Sequence, residues 1–447
     1  MIKIYSARWV IPVFSAVIED GALAVEGSKI IAVGPIETIR QRFPEAPAEH
    51  FHDSVIIPGL INAHTHLELT AMRGYLENEE TNFFAWLRKL TLARLELMTS
   101  DDIHVSAIWG ACEAARAGIT AVGDASDSAA SSMRALKEVG LRGIVFQESF
   151  GPDPNLVSEN FEKLTTKVAE LRSFESARVK VGVSPHAPYT VCGLQLELIA
   201  GFAESEQLPL MMHAAESAAE DSLIRQGCGL FAEGLAKRNI DWKTPGVSPI
   251  QYLNERGVLR VHPLLAHCIR VDEHDVETIV ESSSKIAHCP KSNAKLGHGR
   301  APFAEFLRRN AVIGLGSDSV ASNNTCDILE EARFAALVAR SDAHVSASDV
   351  FKAATKGGAH CLELEGVIGE LAEDSVADFA VLSLSGMHQL PNYDPVTTAV
   401  FSSSGKDVVL TVVGGDEIFR EGLIVNVDEE RLRARILEIA CKLSSVT

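Results

Sequence analysis

The sequence predicts an α/β protein: a (β/α)8 TIM-type barrel with a small β-sandwich domain built from both chain ends. The first reason is that eight short apolar runs follow one another between residues 55 and 319, each followed by a helix-compatible stretch. The second is that both chain ends alternate β-like runs with turn signals such as Gly27-Ser28 and Gly34-Pro35. A doubly wound open sheet is the alternative that this pattern allows.

The eight apolar runs lack the strict alternation of half-exposed strands, as expected for strands buried on both faces. They are VIIPGLINAHTH, ITAVGDAS, RGIVFQES, VKVGVSPHA, LPLMMHAAE, VHPLLAHC, KIAHCPKSN and AVIGLGSDS. The chain ends contribute KIYSARWVIP and ALAVEGSKIIAVG early, and ADFAVLSL and DVVLTVVGGDEIFREGLIV late. We therefore predict residues 1–57 as the first part of the sandwich domain, 58–368 as the barrel, and 369–447 as the second part of the sandwich domain with a C-terminal helix.

The composition disfavours several classes of protein. The 447 residues include 41 Lys and Arg against 60 Asp and Glu, a net charge of −19, which would repel nucleic acids and anionic membranes. No run of about 20 apolar residues predicts a transmembrane helix, and the N-terminus lacks a signal-peptide pattern. Eight cysteines without a CxxC pair predict reduced thiols in a cytoplasmic protein. The sequence leaves a homo-oligomer open.

Residues that bind metals or move protons end several of the predicted barrel strands. His64 and His66 end the first, His213 the fifth, His267 the sixth and Asp318 the eighth. The carboxyl ends of barrel strands form one rim, and residues i and i+2 of a strand point to the same side. We therefore expect these side chains to converge. Taken singly, a strand-end histidine is commonly structural, and a strand-end aspartate commonly caps the next helix.

Three imidazoles and a carboxylate suit a divalent ion such as zinc, and iron suits them too. Such an ion would lower the pKa of a bound water towards neutrality and so produce hydroxide. We expect Asp318 to accept a proton from this water and His267 to orient it. Glu216, three residues after His213, is expected to move a proton between water and substrate. The alternative for Glu216 is a first-turn glutamate favoured by the helix dipole.

The segments GLINAHTH, HAAE, AHC and GSDS together resemble the amidohydrolase superfamily over nearly the whole chain. Members with two metal ions usually bridge them with a carboxylated lysine at the end of the fourth strand, where this sequence has His186. The sequence is therefore similar to the one-metal branch, whose members mostly deaminate heterocycles. This resemblance implies one divalent ion per chain, Zn²⁺ in preference to Fe²⁺, held by His64, His66, His213 and Asp318.

A narrower resemblance is to S-adenosylhomocysteine/methylthioadenosine deaminases and aminodeoxyfutalosine deaminases. It rests on HTHLELTAMRG, NFFAWL, SPHAPYTV, HCPKSNAKLGHG and GSDSVASNN. It implies that Trp86 and His186 contact the nucleoside, and Glu68 is expected to bind substrate as well. HTHLEL and residues 146–148 are closer to the aminodeoxyfutalosine group, which acts in a menaquinone pathway. The alternatives are that Trp86 belongs to the core and that His186 caps a loop. Three arginines could meet an anionic substrate group, but we expect each to be a solvated charge: Arg73, Arg88 and Arg94.

The predicted function is hydrolytic deamination of an aminated heterocycle, with ammonia leaving after attack by metal-bound hydroxide. The preferred substrate is an adenosine-like nucleoside: aminodeoxyfutalosine first, then S-adenosylhomocysteine or methylthioadenosine. Two alternatives use the same site, a guanine- or cytosine-type nucleobase deaminase and a triazine-type chlorohydrolase. An alternative of another class is a catalytically inactive scaffold, which the complete set of expected ligands disfavours.

Overall fold

The computed structural model describes residues 1–445 as an α/β structure with one mixed sheet and two four-stranded parallel sheets. The strands are β1 (Ile2–Val10), β2 (Ile18–Glu26), β3 (Lys29–Pro35), β4 (Ala48–Pro58), β5 (Leu60–Thr65), β6 (Ile119–Ser126), β7 (Arg142–Ser149), β8 (Val179–Pro185), β9 (Met211–Ala214), β10 (Leu264–His267), β11 (Lys285–His288), β12 (Val312–Leu315), β13 (Phe379–Ser383), β14 (Val408–Val413), β15 (Asp416–Arg420) and β16 (Leu423–Ile424).

The α-helices are α1 (Ile36–Arg42), α2 (Phe83–Leu92), α3 (Ser100–Arg116), α4 (Ala129–Val139), α5 (Val157–Leu171), α6 (Gly193–Glu206), α7 (Ala218–Gln226), α8 (Leu230–Lys237), α9 (Pro249–Glu255), α10 (Glu273–Glu281), α11 (Pro290–Lys295), α12 (Phe303–Arg308), α13 (Val320–Asn323), α14 (Ile328–Ala339), α15 (Ala347–Lys352), α16 (Gly358–Cys361), α17 (Pro395–Phe401) and α18 (Glu429–Ser444). Shorter 3-10 or π-helical turns cover Leu67–Met72, Glu77–Glu79, Ala93–Leu97, Pro154–Leu156, Arg172–Phe174, Leu259–Val261, Ala353–Gly357 and Gly405–Asp407.

The two parallel sheets contain the strands that the sequence predicts for the barrel. Their orders are β5-β6-β7-β8 and β12-β11-β10-β9, so the continuous ladders of residues 1–445 form two sheets rather than one closed barrel. Single parallel bridges, Thr65 to Asp318 and Val183 to Leu210, connect their outer strands on both sides. Strands β6 and β7 are buried along their whole length, which explains their continuous apolar sequence. Because all these pairings are parallel, the carboxyl ends of the eight strands lie on one side.

The strands of both chain ends form a single eight-stranded sheet with the order β16-β15-β14-β13-β4-β1-β2-β3. This sheet is strongly curled. Lys3 Nζ on β1 lies 2.8 Å from Glu417 Oε1 on β15, although the two strands are four positions apart. A flat sheet would separate them by roughly 19 Å. The sequence predicts two facing layers here; the structure gives one curled, hydrogen-bonded sheet, so the sandwich remains a prediction.

The first predicted barrel strand, VIIPGLINAHTH, is wrong as a single strand. Its first part belongs to β4 in the eight-stranded sheet of the chain ends, which we call the end sheet. Strand β5, which belongs to one of the two parallel sheets, begins after Gly59. A Cβ at Gly59 would overlap the Thr120 side chain, whose own Cβ would be 2.6 Å away, and the Gly59 N–H donates to the carbonyl of Asp378 at 3.0 Å. Both halves of the run are buried, so hydrophobicity alone cannot reveal the change of sheet.

The predicted C-terminal helix is present as α18 and packs on α3. Arg435 Nη2 lies 2.8 Å from Asp101 Oδ2, and Lys442 Nζ lies 2.8 Å from Asp102 Oδ2. Residues 446 and 447, which the third predicted segment includes, lie outside the described residues.

Within the described part of the chain, no helix combines the length and the apolar character needed to cross a membrane. All eight cysteines are unpaired. Six of them are buried, and Cys228 and Cys441 are exposed.

Candidate active site

The five polar side chains predicted at strand ends converge at the carboxyl side of the parallel sheets. His64 and His66 lie at the end of β5, His213 on β9, His267 at the end of β10, and Asp318 shortly after β12. Single atoms of four of them lie within 4.8 Å of one another: His64, His213, His267 and Asp318. His66 joins this group, because its Nε2 is 3.3 Å from His213 Nε2 and 3.5 Å from Asp318 Oδ1. All five side chains are buried.

A hydrogen bond behind His213 turns its Nε2 towards His66. His213 Nδ1 lies 2.9 Å from the carbonyl oxygen of His186, to which it can only donate. An imidazole that donates through Nδ1 in its neutral form has an unprotonated Nε2. His64 Nε2 is also buried, and it has no hydrogen-bond partner. The site therefore contains several ring nitrogen atoms whose lone pairs point into the same small space.

Burial and neighbouring charges set the protonation of this cluster. Burial lowers the pKa of His64 well below its ordinary value and the pKa of His213 to about 4. Burial alone would raise the pKa of Asp318, but the contact with His64 and the proximity of His267 hold it well below its ordinary range. Neutral imidazoles and an ionised carboxylate are the forms that bind a divalent ion.

Asp318 is oriented by its neighbours. Ser292 Oγ and Ser322 Oγ donate to Asp318 Oδ2 at 2.5 and 2.8 Å, which leaves Oδ1 facing the Nε2 atoms of His64 and His66 at 3.5 Å each. The backbone of Asp318 is left-handed, with φ of 56°. A non-glycine residue in this conformation is held there by its surroundings, and such positions concentrate at functional sites.

Glu216 faces the cluster from the segment after β9. Tyr189 OH donates to Glu216 Oε2 at 3.1 Å, and Glu216 Oε1 lies 3.7 Å from His267 Nε2 and 3.6 Å from His298 Nε2. On its other side, the His267 ring is held by Asn293, whose Oδ1 is 2.8 Å from His267 Nδ1. Glu216 is thus a positioned carboxyl at the edge of the cluster, where it can give and take protons.

A cavity of about 500 Å³ opens onto the cluster. Its walls are largely apolar and aromatic, and its volume is typical of small-molecule sites. Phe83 and Trp86 of α2 form one wall, with ring centroids 6.1 Å apart, and Phe150 packs beside His186 with ring centroids 4.7 Å apart. His186 Nδ1 lies 2.8 Å from Thr190 Oγ1. The cavity therefore offers flat apolar surfaces next to the polar cluster.

A second part of the cavity lining is charged and consists of Glu68, Arg94, Asp127 and Glu148. Arg94 Nε lies 3.2 Å from Glu68 Oε1, and Arg94 also pairs with Asp127. The expectation that Arg94 is a solvated charge is wrong, because its side chain is only 12% exposed. The surrounding carboxylates compensate the buried guanidinium. Glu68 also accepts from Ser126 Oγ at 2.5 Å, so its oxygens have partners within the protein.

Comparison with known proteins gives the family. A model of the amidohydrolase family matches residues 55–418, and one of the bacterial imidazolonepropionase-like composite domain matches residues 21–46. The 5-methylthioadenosine/S-adenosylhomocysteine deaminase of Nitratidesulfovibrio vulgaris (strain Hildenborough) is 31% identical over 422 residues, which cover 93% of this chain and 91% of that protein. The chain belongs to the amidohydrolase family. The resemblance of GLINAHTH, HAAE, AHC and GSDS to this family is thereby confirmed.

Two solved structures share the fold over almost the whole chain. An adenosine deaminase from Xanthomonas campestris with bound zinc has a TM-score of 0.88 at 24% identity, covering 99% of this chain and 98% of that one. The aminofutalosine deaminase of Helicobacter pylori, in complex with methylthio-coformycin, has a TM-score of 0.80 at 22% identity, covering 93% of this chain and 100% of that one. At these identities the likeness establishes a common fold.

In this amidohydrolase, most of the side chains predicted from sequence line the cavity. The lining includes Glu68, Trp86, His186, His66, His213, Glu216 and Asp318. His64 and His267 lie behind this lining but within the cluster. Trp86 is only 5% exposed and also forms part of the cavity wall. Its place in the core therefore does not exclude a place in the lining of the cavity. The roles of these residues stay predictions.

Sequence reasoning did not single out two residues that contact or face Glu216. Tyr189 and His298 lie in the segments SPHAPYTV and HCPKSNAKLGHG, which drew attention through His186 and Asn293 instead. The available signal was their position within segments already linked to the site. The sequence does not reveal how close these two side chains lie to Glu216, because that distance depends on the paths of loops.

Proposed function

We propose that this amidohydrolase is a metal-dependent hydrolytic deaminase of an adenosine-like nucleoside, aminodeoxyfutalosine in preference to S-adenosylhomocysteine and methylthioadenosine. The observation that carries the proposal is the convergence of His64, His66, His213 and Asp318 beside Glu216 at the mouth of a small-molecule cavity. Similarity to a 5-methylthioadenosine/S-adenosylhomocysteine deaminase over 93% of the chain supports the substrate class.

The donor set suits one Zn²⁺ per chain, with Fe²⁺ as the alternative. The fit is supported by the His66 and His213 Nε2 atoms, which face each other at 3.3 Å, and by the buried His64 Nε2 without a partner. We propose that these three imidazoles and Asp318 Oδ1 hold the ion. When bound, such an ion supplies Lewis acidity and lowers the pKa of a coordinated water.

Glu216 and Asp318 carry the proton transfers in this proposal. In its protonated form Glu216 gives a proton to the ring nitrogen beside the amino-bearing carbon, which makes that carbon electrophilic. His267 Nε2 and Asp318 orient the attacking water, and Asp318 takes up one of its protons and passes it to the exocyclic amine. The carbon–nitrogen bond then breaks, ammonia leaves and a carbonyl forms, while the remaining hydroxyl proton returns to Glu216. Trp86 and its apolar neighbours hold the flat ring and exclude bulk water.

A substrate panel tests the proposed reaction. Ammonia release is measured for aminodeoxyfutalosine, S-adenosylhomocysteine, methylthioadenosine, adenosine, guanine and cytosine, and chloride release for a chlorotriazine. We expect ammonia from the nucleosides, most rapidly from aminodeoxyfutalosine. Activity confined to free bases, chloride release without ammonia, or less than one ion per chain together with inactivity after zinc reconstitution would each point to one of the alternative functions.

Replacement of the proposed proton carrier separates chemistry from metal binding. Glu216→Gln keeps the shape of the side chain but cannot deliver a proton, so we expect kcat to fall by roughly 10²–10⁴-fold while metal content is unchanged. Metal content is measured by elemental analysis, and Glu170→Gln, an exposed position on α5, serves as the matched control. Activity within a few-fold of wild type would remove Glu216 from this role.

We also propose that the two parallel sheets close into the predicted (β/α)8 barrel over residues 58–368. The bridges Thr65–Asp318 and Val183–Leu210 at both seams support closure. Residues 1–57 and 369–447 then form the small β-sandwich domain with its C-terminal helix, which the curl of the end sheet supports. A cytoplasmic location is supported by eight unpaired cysteines, which are typical of reducing compartments.

A further inference from the structure

Glu148 is the cavity carboxyl whose hydrogen bonds the protein leaves open. It lies near the end of β7, is 7% exposed and lines the cavity. Its Oε1 is buried and has no hydrogen-bond partner. A buried acceptor without a partner is costly, so such an atom in a cavity wall indicates where a ligand supplies the missing hydrogen bond.

The charged neighbours of Glu148 pair with one another. Arg94 pairs with Glu68 and Asp127 and makes no ion pair with Glu148, and its Nε has no hydrogen-bond partner. Burial, together with the negative charges of Glu68 and Asp127, raises the pKa of Glu148 well above its ordinary value. A carboxyl in this setting can both accept and donate hydrogen bonds, which suits hydroxyl groups better than a second anion.

The position of Glu148 relative to the metal-binding cluster indicates which part of a bound substrate would lie next to it. Atoms of Glu148, His186 and His213 lie within 4.8 Å of one another, and His213 also belongs to the metal-binding cluster. Glu148 is therefore separated from the reacting centre by one imidazole. A purine ring whose amino-bearing carbon faces Glu216 would point its sugar away from that centre, while its flat faces lie against the apolar wall.

We propose that Glu148 recognises the vicinal hydroxyl pair of the substrate's ribose and makes the enzyme specific for ribonucleosides. This inference rests on the proposed nucleoside deamination and adds the residue that selects the sugar. The strand position is rigid, since β7 pairs with β6 and β8 on both sides and Gln147 Nε2 donates to the Asp127 carbonyl at 3.0 Å.

Paired substrates test the role of Glu148. Adenosine and methylthioadenosine are compared with their 2′,3′-dideoxy analogues in wild type, Glu148→Gln and Glu148→Met. We expect wild type to prefer the hydroxylated member of each pair by about 100-fold or more in kcat/KM. Glu148→Met should reduce this preference by about 10–100-fold, mainly through KM of the hydroxylated substrate, and Glu148→Gln should retain part of it. Glu170→Met is the matched control.

The outcomes separate this proposal from its alternatives. Equal rates for both members of each pair in wild type would overturn it. An equal loss on both members in Glu148→Met would show a purely structural role. Loss of a bound ion in Glu148→Gln would make Glu148 a metal ligand and overturn it too. If no nucleoside releases ammonia, the proposed function fails; calorimetric binding of adenosine and dideoxyadenosine still tests Glu148, and equal affinities would overturn its role.

Discussion

At the scale of single residues, the cavity side chains divide into those whose hydrogen bonds are complete and those left open. Glu68 accepts from Ser126 and is paired with Arg94, whereas His64 Nε2, His267 Nε2 and Glu148 Oε1 are buried without partners. Leaving a buried polar atom unpaired costs about 1–3 kcal/mol. These three atoms belong to residues to which we assign a ligand, whereas Trp86 Nε1 and Arg94 Nε in the same cavity wall also lack partners and have no such role.

Asn293 is expected to act through His267. It accepts from or donates to no other side chain, and its Oδ1 is 2.8 Å from His267 Nδ1, so it fixes the ring that faces Glu216. We expect Asn293→Ala to lower kcat by about 10–100-fold with a small change in KM, because the ring loses its orienting acceptor. Steady-state kinetics on the best nucleoside of the panel measures the effect.

Asn293→Asp retains an acceptor at the same place and is the matched comparison. We expect it to keep more activity than Asn293→Ala. Equal losses in the two variants, with unchanged metal content, would mean that Asn293 does not act by accepting a hydrogen bond from His267.

At the scale of elements, the ends of the parallel strands carry most of the candidate site residues, and the connecting loops determine how these residues lie relative to one another. ITAVGDAS and RGIVFQES coincide with β6 and β7, because long apolar β-rich runs between helical stretches admit one interpretation. The run at 55–66 was misread as one strand, because burial on both sides of Gly59 hides the passage between sheets. On α2, the resemblance implied a substrate contact for Trp86, but the place of this helix over the cavity depends on the preceding loop.

The β4–β5 junction gives a test of packing. We expect Gly59→Ala to lower the free energy of unfolding by about 1–3 kcal/mol, because the new Cβ would overlap Thr120, a buried β-branched residue with little freedom to move. Urea denaturation followed by circular dichroism measures the change. Gly34→Ala is the control, since its nearest atom, Ile39 Cδ1, would lie 3.9 Å away. Equal stability of the two variants would contradict the assignment.

At the scale of the whole molecule, the curled end sheet joins residues that are more than 400 positions apart in the chain. Glu417 accepts from Lys3 Nζ at 2.8 Å, with a sequence separation of 414, and from Arg420 Nε at 2.7 Å. The Arg420 hydrogen bonds are the main cause that lowers the pKa of Glu417 from 4.5 to about 2. The two chain ends are thus connected by charge as well as by strand pairing.

This cluster predicts a pH dependence of stability. A carboxyl whose folded pKa is depressed contributes its stability above its unfolded pKa and loses it as the pH falls towards the folded pKa. We expect Glu417→Gln to lower the free energy of unfolding by about 1 kcal/mol at neutral pH, allowing for solvent screening. The difference from wild type should shrink as the pH falls from 4.5 towards 2.

Urea denaturation at a series of pH values measures this difference. Glu19→Gln, at an exposed position on β2, is the control and should show no such trend. A difference between wild type and Glu417→Gln that stays constant down to acidic pH would contradict the ion-pair explanation.

The sequence by itself determined the order of strands and helices, the family, and the residue types that end the strands. These follow from local periodicity and from short segments whose chemistry depends on residues close in the chain. Only the tertiary structure decided that β4 and β5 lie in different sheets, that Arg94 is buried among carboxylates, and that Tyr189 and His298 approach Glu216 while Glu148 stays without a partner. The reason is physical: such facts are distances between segments far apart in the chain, and loop paths and packing set them.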